Sequence, residues 1–382
     1  MMIIYGGYAM EWDTEYLIPG MVVKNDLLPE GALEGTAPLL PAGKTITVED
    51  IVRLNRHKIK KIEIVEYDET FFELFREFAA SNIKKYNPVS ITRVARLYEY
   101  IVNRTKDFNF DMTRYLTEDK DLQKHDINVA SMAVTLAAKH NNTVPADEQI
   151  SIKEMAEVAL FRNIGRRAKN KGLLEQIKNK YGSRLDKLQD SYPNLPDDIF
   201  DVYHREQDQF YSYLILKGAG MNNTQLTSIL LHHEREIGKN GPLGVDMSKQ
   251  DPTHPSVKMS KIMRVCELYD NLLYRAKTDH PEQPFGSINK NLDTMVASGL
   301  TDPYWTKMLS MIVPVYPLGE RVELSDGTIG VVSGYNEYDM SKPYVKDLNG
   351  NDVDLYKDKL VVIGLVGNLE KEEPTMSMSA RA

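Results

Sequence analysis

The spacing of apolar positions changes character several times along the chain. From Tyr16 to Val65, short extended runs alternate with turns: YLIPGMVVKNDLL, a Gly and Pro rich stretch through Gly43, then KIEIV. One short helix interrupts them. Thr47 is its N-cap ahead of Val48, Glu49 and Asp50, Ile51, Val52 and Leu54 form its apolar side, and Arg56 to Lys58 its basic last turn. Further on, Phe71, Leu74, Phe75 and Phe78 fall at helical spacing, Asn87-Pro88 breaks the run, and Val94, Leu97, Tyr98, Ile101 and Val102 resume it. These stripes read as packing surface, joining modules or pairing two copies of the chain. From Leu122 to about Met311 nearly every segment is helical in period, as in Val129, Met132, Ala133, Leu136 and Ala137. After Pro314 strands return: RVEL, a turn at Asp326-Gly327, TIGVVSGY, PYVKDL, a turn at Asn349-Gly350, and LVVIGLV.

The predicted fold class is therefore mainly α, a helical bundle between a small N-terminal α+β module and a small C-terminal antiparallel β module. The spans are 1–66 for the first module, 67–115 for linking helices, 116–312 for the bundle and 313–367 for the β module. Residues 368–382, with Glu-Lys-Glu-Glu-Pro and MSMSARA nearby, read as a disordered tail.

Composition narrows the partners. Among 382 residues, Lys+Arg 47 against Asp+Glu 55 gives a net charge of -8, without the basic footprint of a nucleic-acid or anionic-membrane binder. The lone Cys266 excludes an internal disulfide and any CxxC pair, which fits the reducing cytoplasm. MMIIYGGYAM has no basic residue and meets the acidic EWDTE, so it is not expected to be a secretory signal, and Met10 offers an alternative start. Apolar runs such as LVVIGLV fall far short of the roughly 20 residues of a membrane-spanning helix.

Candidate chemistry rests on histidines. His125 shares a helix face with Val129 and Met132, His204 sits beside Phe200, Tyr203 and Tyr211, and His233 continues the row of Leu226, Ile229 and Leu230. A lone inward histidine is usually a satisfied core residue. Several on different helices of one bundle suit a divalent metal held by imidazole nitrogens.

The order of these motifs resembles the HD-GYP phosphohydrolases, a family linked to hydrolysis of cyclic di-GMP, and would make the bundle an HD-type domain. LIPGMVV with LLPAGKTITVEDIVRLNRHKIKKIEIV resembles the module that often precedes that domain, and YPLGERVELSDGTIGVV the strands that often follow it. Within the bundle, the resemblance implies that His125 of KHDINVA is the first metal-binding histidine. It makes His204, His232 and His233 further ligands and puts the last metal aspartate at Glu267 in KIMRVCELYDNLL, with Asp270 kept one turn later. The His-Asp pair is lost in LFRNIGR: Arg162 and Asn163 replace it, Gly165 is kept, and Arg166 takes the place of a lysine. In the signature loop, Ile237, Asn240 and Gly241 depart from the family pattern while Gly238 and Pro242 remain.

In the intact family the resemblance implies two or more adjacent metals that bind a phosphodiester and activate hydroxide. Two divalent ions about 4 Å apart repel by roughly 16 kcal/mol at an effective dielectric of about 20, so an acid must bridge them. Asn163 is neutral and Arg162 adds a permanent positive charge, which is expected to remove the first metal position and leave His125 with Glu267, the latter off its helix's main apolar face. His204, His232 and His233 would hold one ion of iron, manganese or zinc, or remain a metal-free set of hydrogen-bonded imidazoles. Two roles are open to Arg162: a fixed cation, ion-paired to Glu267 or presenting its fork to a phosphate alongside Arg166, or a side chain that snorkels to the bundle surface.

The expected function is that of a catalytically impaired HD-GYP-like signalling protein acting by binding cyclic di-GMP, a related nucleotide or a protein partner. The alternatives are a phosphodiesterase surviving on a reduced metal site, and an assembly protein, with a homodimer admitted by the Phe-rich helices.

Overall fold

In the computed structural model of the chain the described residues are 10–29, 31–33, 35–65, 74–75, 77–81, 88–104, 122–167, 208–238, 241–279, 286–316, 318–336 and 338–366. The N-terminal module begins earlier than its hydropathy predicts. Strand β1 (Met10–Asp13) pairs antiparallel with β2 (Lys61–Ile64), setting Met10 opposite Ile64 and Trp12 opposite Ile62. The acidic letters around Trp12 conceal a strand whose indole is 2% exposed. Helix α1 (Val48–Arg56) starts where the sequence places it: Thr47 and Asp50 form a reciprocal capping box, and Lys44 Nζ lies 2.6 Å from the Asp50 carboxylate.

Helix α2 (Pro88–Arg104) ties this module to the bundle. Tyr100 stacks on Tyr16 with ring centroids 4.1 Å apart, and its hydroxyl accepts a 2.8 Å bond from Asp13 N–H. On the inner face, Tyr98 meets Phe75 edge-on at 4.8 Å and its hydroxyl lies 3.0 Å from Ser131 Oγ. Phe71, in the first aromatic stripe, lies outside the described residues.

The bundle continues through α3 (Leu122–Asn141), α4 (Ile152–Phe161), the short α5 (Ile164–Arg167), α6 (Asp208–Gly218), α7 (Asn223–Leu231), α8 (Pro255–Asp279), α9 (Gly286–Ala297) and α10 (Pro303–Ser310). Helix α4 packs on α2 and α3, α8 packs on α3, α7, α9 and α10, and α6 lies against α5 and α7. Residues 126–134 of α3 are all buried, so this helix has no solvent face there and polar residues on it must find partners inside.

Strands β3 (Arg321–Leu324), β4 (Ile329–Gly334), β5 (Tyr344–Asp347), β6 (Asp352–Asp354) and β7 (Val362–Leu365) form one antiparallel sheet in the order β6-β5-β4-β3-β7. Both predicted hairpin turns are present, with Gly327 and Gly350 each at φ 84°, a conformation that costs glycine little. Val322, Leu324, Val332 and Val345 join the same buried cluster as Leu309 and Val313 of the bundle. The architecture is thus mainly helical with a separate antiparallel sheet. No helix among the described residues is long and apolar enough to cross a membrane.

Candidate metal centre

The end of one helix and a face of another converge on one buried place. Helix α7, opened by a capping box of Asn222 and Gln225, delivers His232 and His233 just past its last turn. The carbonyl end of a helix dipole favours a cation there. Helix α8 brings Glu267, which is 3% exposed. The sequence places Glu267 off the apolar face, but α8 is covered on several sides, with Cys266 and Tyr269 also fully enclosed.

The ring orientations are fixed by chemistry. His232 Nδ1 lies 2.6 Å from the Ile229 carbonyl, and a carbonyl only accepts, so Nδ1 carries the proton and Nε2 presents its lone pair. That Nε2 has no hydrogen-bond partner, nor does Glu267 Oε2. His232 Nε2 stands 3.9 Å and His233 Nδ1 3.5 Å from Glu267 Oε2, and one donor atom from each of the three residues lies within 4.8 Å of the others. Donors bonded to one tetrahedral ion at about 2.1 Å sit roughly 3.4 Å apart, so this set is close to the spacing a divalent ion requires.

Electrostatics agree with the geometry. Burial pushes the His232 pKa well below that of a free imidazole, and the neighbouring His233 adds to the effect, which keeps the ring neutral and able to donate its lone pair. For Glu267 burial pushes the pKa up, but His233, Arg162, His232 and His125 outweigh it and hold the carboxyl far below the usual range, so it is an anion. A buried imidazole nitrogen and a buried carboxylate oxygen, neither with a hydrogen-bond partner, fit one divalent ion.

His125 is placed differently from His232 and His233. Its Nδ1 lies 2.5 Å from Asp270 Oδ2, while Asn128 Nδ2 donates to Asp270 Oδ1 at 2.9 Å. His125 is therefore oriented by a carboxylate on α8 and still acts on Glu267 electrostatically. His204 lies outside the described residues, as do Asn240 and the side chain of Arg166.

Arg162 does not snorkel. It caps the end of α4 at 0% exposure, with Nη1 donating to the Ala159 carbonyl at 2.6 Å and 3.2 Å from Asp126 Oδ1. Its ion pair is with Asp126 rather than Glu267. Asn163 Nδ2 donates to the same Asp126 oxygen at 2.8 Å. Ser212 of α6 staples the break between α4 and α5, donating to the Arg162 carbonyl at 2.6 Å and accepting from Gly165 N–H at 2.9 Å.

The loop after His233 closes on Glu234. The two oxygens of Glu234 accept from Leu243 N–H at 2.7 Å and Val245 N–H at 2.8 Å. A Cβ on Gly241 would come within 2.9 Å of the Glu234 Cα, so only glycine permits this approach. Ile237 is 60% exposed, and its N–H donates to the Gly299 carbonyl at 2.9 Å.

No family model matches the chain. A 236-residue stretch, 62% of the chain, is 23% identical to the cyclic di-GMP phosphodiesterase PA4108 of Pseudomonas aeruginosa. That match covers half of the relative's length. Among solved structures, the HDG"Y"P protein Bd1817 from Bdellovibrio bacteriovorus superposes with a TM-score of 0.43 at 13% identity, over 79% of this chain and 98% of that one. In this bundle, Asp126 and Asn128 are the polar residues that pattern alone missed. They lie in a helix buried on every side, where periodicity marks no special face.

Proposed function

We propose that this HD-GYP-like chain is a receptor that seats one divalent ion on His232, His233 and Glu267 and binds cyclic di-GMP or a related phosphodiester without turning it over. The observation that carries the reading is the pair of buried atoms without partners, His232 Nε2 and Glu267 Oε2, facing each other across a gap too wide for a hydrogen bond. A bound ion would supply Lewis acidity toward a phosphoryl oxygen. The chain's own part is to hold the ligands: the Ile229 carbonyl fixes the His232 tautomer, and the closed loop on Glu234 fixes the backbone beside His233.

Impaired turnover follows from the neighbouring charges. Asn163 is neutral and its amide N–H is engaged with Asp126, while the nearby Arg162 carries a permanent positive charge. A second ion beside that guanidinium would be repelled, and in-line displacement would lose the symmetric stabilisation two ions provide. The similarity to a cyclic di-GMP phosphodiesterase supports the ligand class. A second reading, a phosphodiesterase working with one ion, is favoured by the donor set itself, because three protein ligands leave a coordination position for water.

The test is titration of metal-loaded protein with cyclic di-GMP while linear product is followed by chromatography. Saturable binding without linear product supports the receptor. Metal-dependent turnover that vanishes in His233→Ala establishes the phosphodiesterase instead.

A further inference from the structure

The last turn of α3 is where the bundle meets the C-terminal β module. Lys139 Nζ donates to the Tyr338 carbonyl at 3.1 Å, and Met340 N–H donates at 2.9 Å to the carbonyl of Met311, just past α10. Next to Lys139, His140 is 6% exposed. Its Nδ1 lies 2.9 Å from the Tyr304 hydroxyl, and its ring centroid is 4.9 Å from that of Trp305 and 5.9 Å from that of Tyr304. Nε2 is buried and has no hydrogen-bond partner. The charged groups that act on the ring are Lys258 of α8 and Glu148 of the turn Ala146–Glu148. Lys258 is held in place, since its Nζ donates to the Glu148 carbonyl at 2.7 Å.

We propose that the end of α3 is an acid-operated joint: protonation of His140 loosens α10, and the segment tied to it at Met340, from the bundle. A neutral imidazole is tolerated in this aromatic surrounding. An imidazolium is not, because Nε2 would become a donor with no acceptor and the charge would be enclosed near a fixed ammonium. Burial pushes the His140 pKa down, Lys258 adds to the effect, and Glu148 opposes it. The open form therefore takes up its proton near the ordinary imidazole value of about 6.5, and the closed form only at lower pH. The closed joint has its full stability above about pH 6.5 and loses it as pH falls, the open population rising about tenfold per pH unit.

The experiment follows amide hydrogen exchange of the full chain from about pH 7.5 to about pH 5.5, expressed as protection relative to an unstructured peptide at each pH. Wild type should lose protection in α10 by about tenfold per pH unit below about pH 6.5, while α7 keeps its own. His140→Phe, which keeps a ring, and His140→Gln, which keeps a polar contact for Tyr304, should hold α10 protection constant across the range. Constant protection in wild type, a loss spread evenly over α7 and α10, or a loss that persists in either folded variant overturns the proposal. Should neither variant fold, NMR of nitrogen-labelled histidines in wild type gives the same reading, with the His140 ring assigned by its contacts to Trp305. A ring that protonates in step with the loss of α10 protection supports the proposal. One that protonates while α10 stays protected, or stays neutral throughout, overturns it.

Discussion

Replacing Gly241 with alanine isolates the loop that closes behind the histidines. The added Cβ would stand 2.8 Å from the Glu234 Cδ and 2.9 Å from its Cα, and closer still to Oε2. The Cα is backbone, so no rotamer change relieves the contact. The loop must move, and with it the Leu243 and Val245 N–H groups that donate to the Glu234 carboxylate at 2.7 and 2.8 Å. Hydrogen bonds to a charged group contribute about 1.5–3 kcal/mol each, and Glu234 is only 2% exposed, so water does not readily replace them. Weakening both gives an expected loss of about 3 kcal/mol, read from the midpoint of urea unfolding at unchanged slope. Because Glu234 follows His233 directly, metal affinity should fall in the same variant. A Gly241→Ala protein within about 0.5 kcal/mol of wild type and with unaltered metal affinity would refute this account of the loop.

Other residues give independent tests. For Asp50, burial pushes the pKa up, but bonds from Lys44 and Thr47 outweigh it and bring it below the ordinary value. A depressed folded pKa stabilises above the unfolded value and that contribution fades as pH falls. Asp50→Asn should therefore cost about 1 kcal/mol at neutral pH, a deficit that shrinks below about pH 4 in unfolding curves. Lys261, with a side chain 9% exposed, bridges Glu236 at 2.9 Å and Asp302 at 3.0 Å, so Lys261→Met should lose about 3 kcal/mol, measured by urea unfolding, by stranding two largely buried carboxylates. Tyr98→Phe removes a fully buried hydroxyl that lies 3.0 Å from Ser131 Oγ and should cost about 1 kcal/mol in the same assay.

The parts legible in the sequence are those written in local signals. The Thr47 cap, the turns at Gly327 and Gly350 and the alternation of RVEL all depend on neighbours within a few residues, and each appears where expected. Strand β1 was hidden because its partner lies about fifty residues away, and register with Ile62 and Ile64 matters more than its own acidic letters. In the centre, His232 and His233 follow the apolar row of α7. The burial of Glu267 and Arg162 did not follow from periodicity, since α8 and the end of α4 are enclosed on more than one side. Asp126 shows the same limit: charge on a helix usually marks solvent, and the arrival of Arg162 and Asn163 from the end of α4 helps to stabilise its burial.

The most direct measurement is an anomalous difference map from crystals of the full chain grown with zinc or manganese. One peak about 2.0–2.2 Å from His232 Nε2, His233 Nδ1 and Glu267 Oε2 is the expected result. A map with no peak there, or with a pair of peaks beside Asn163, would contradict a centre built for a single ion.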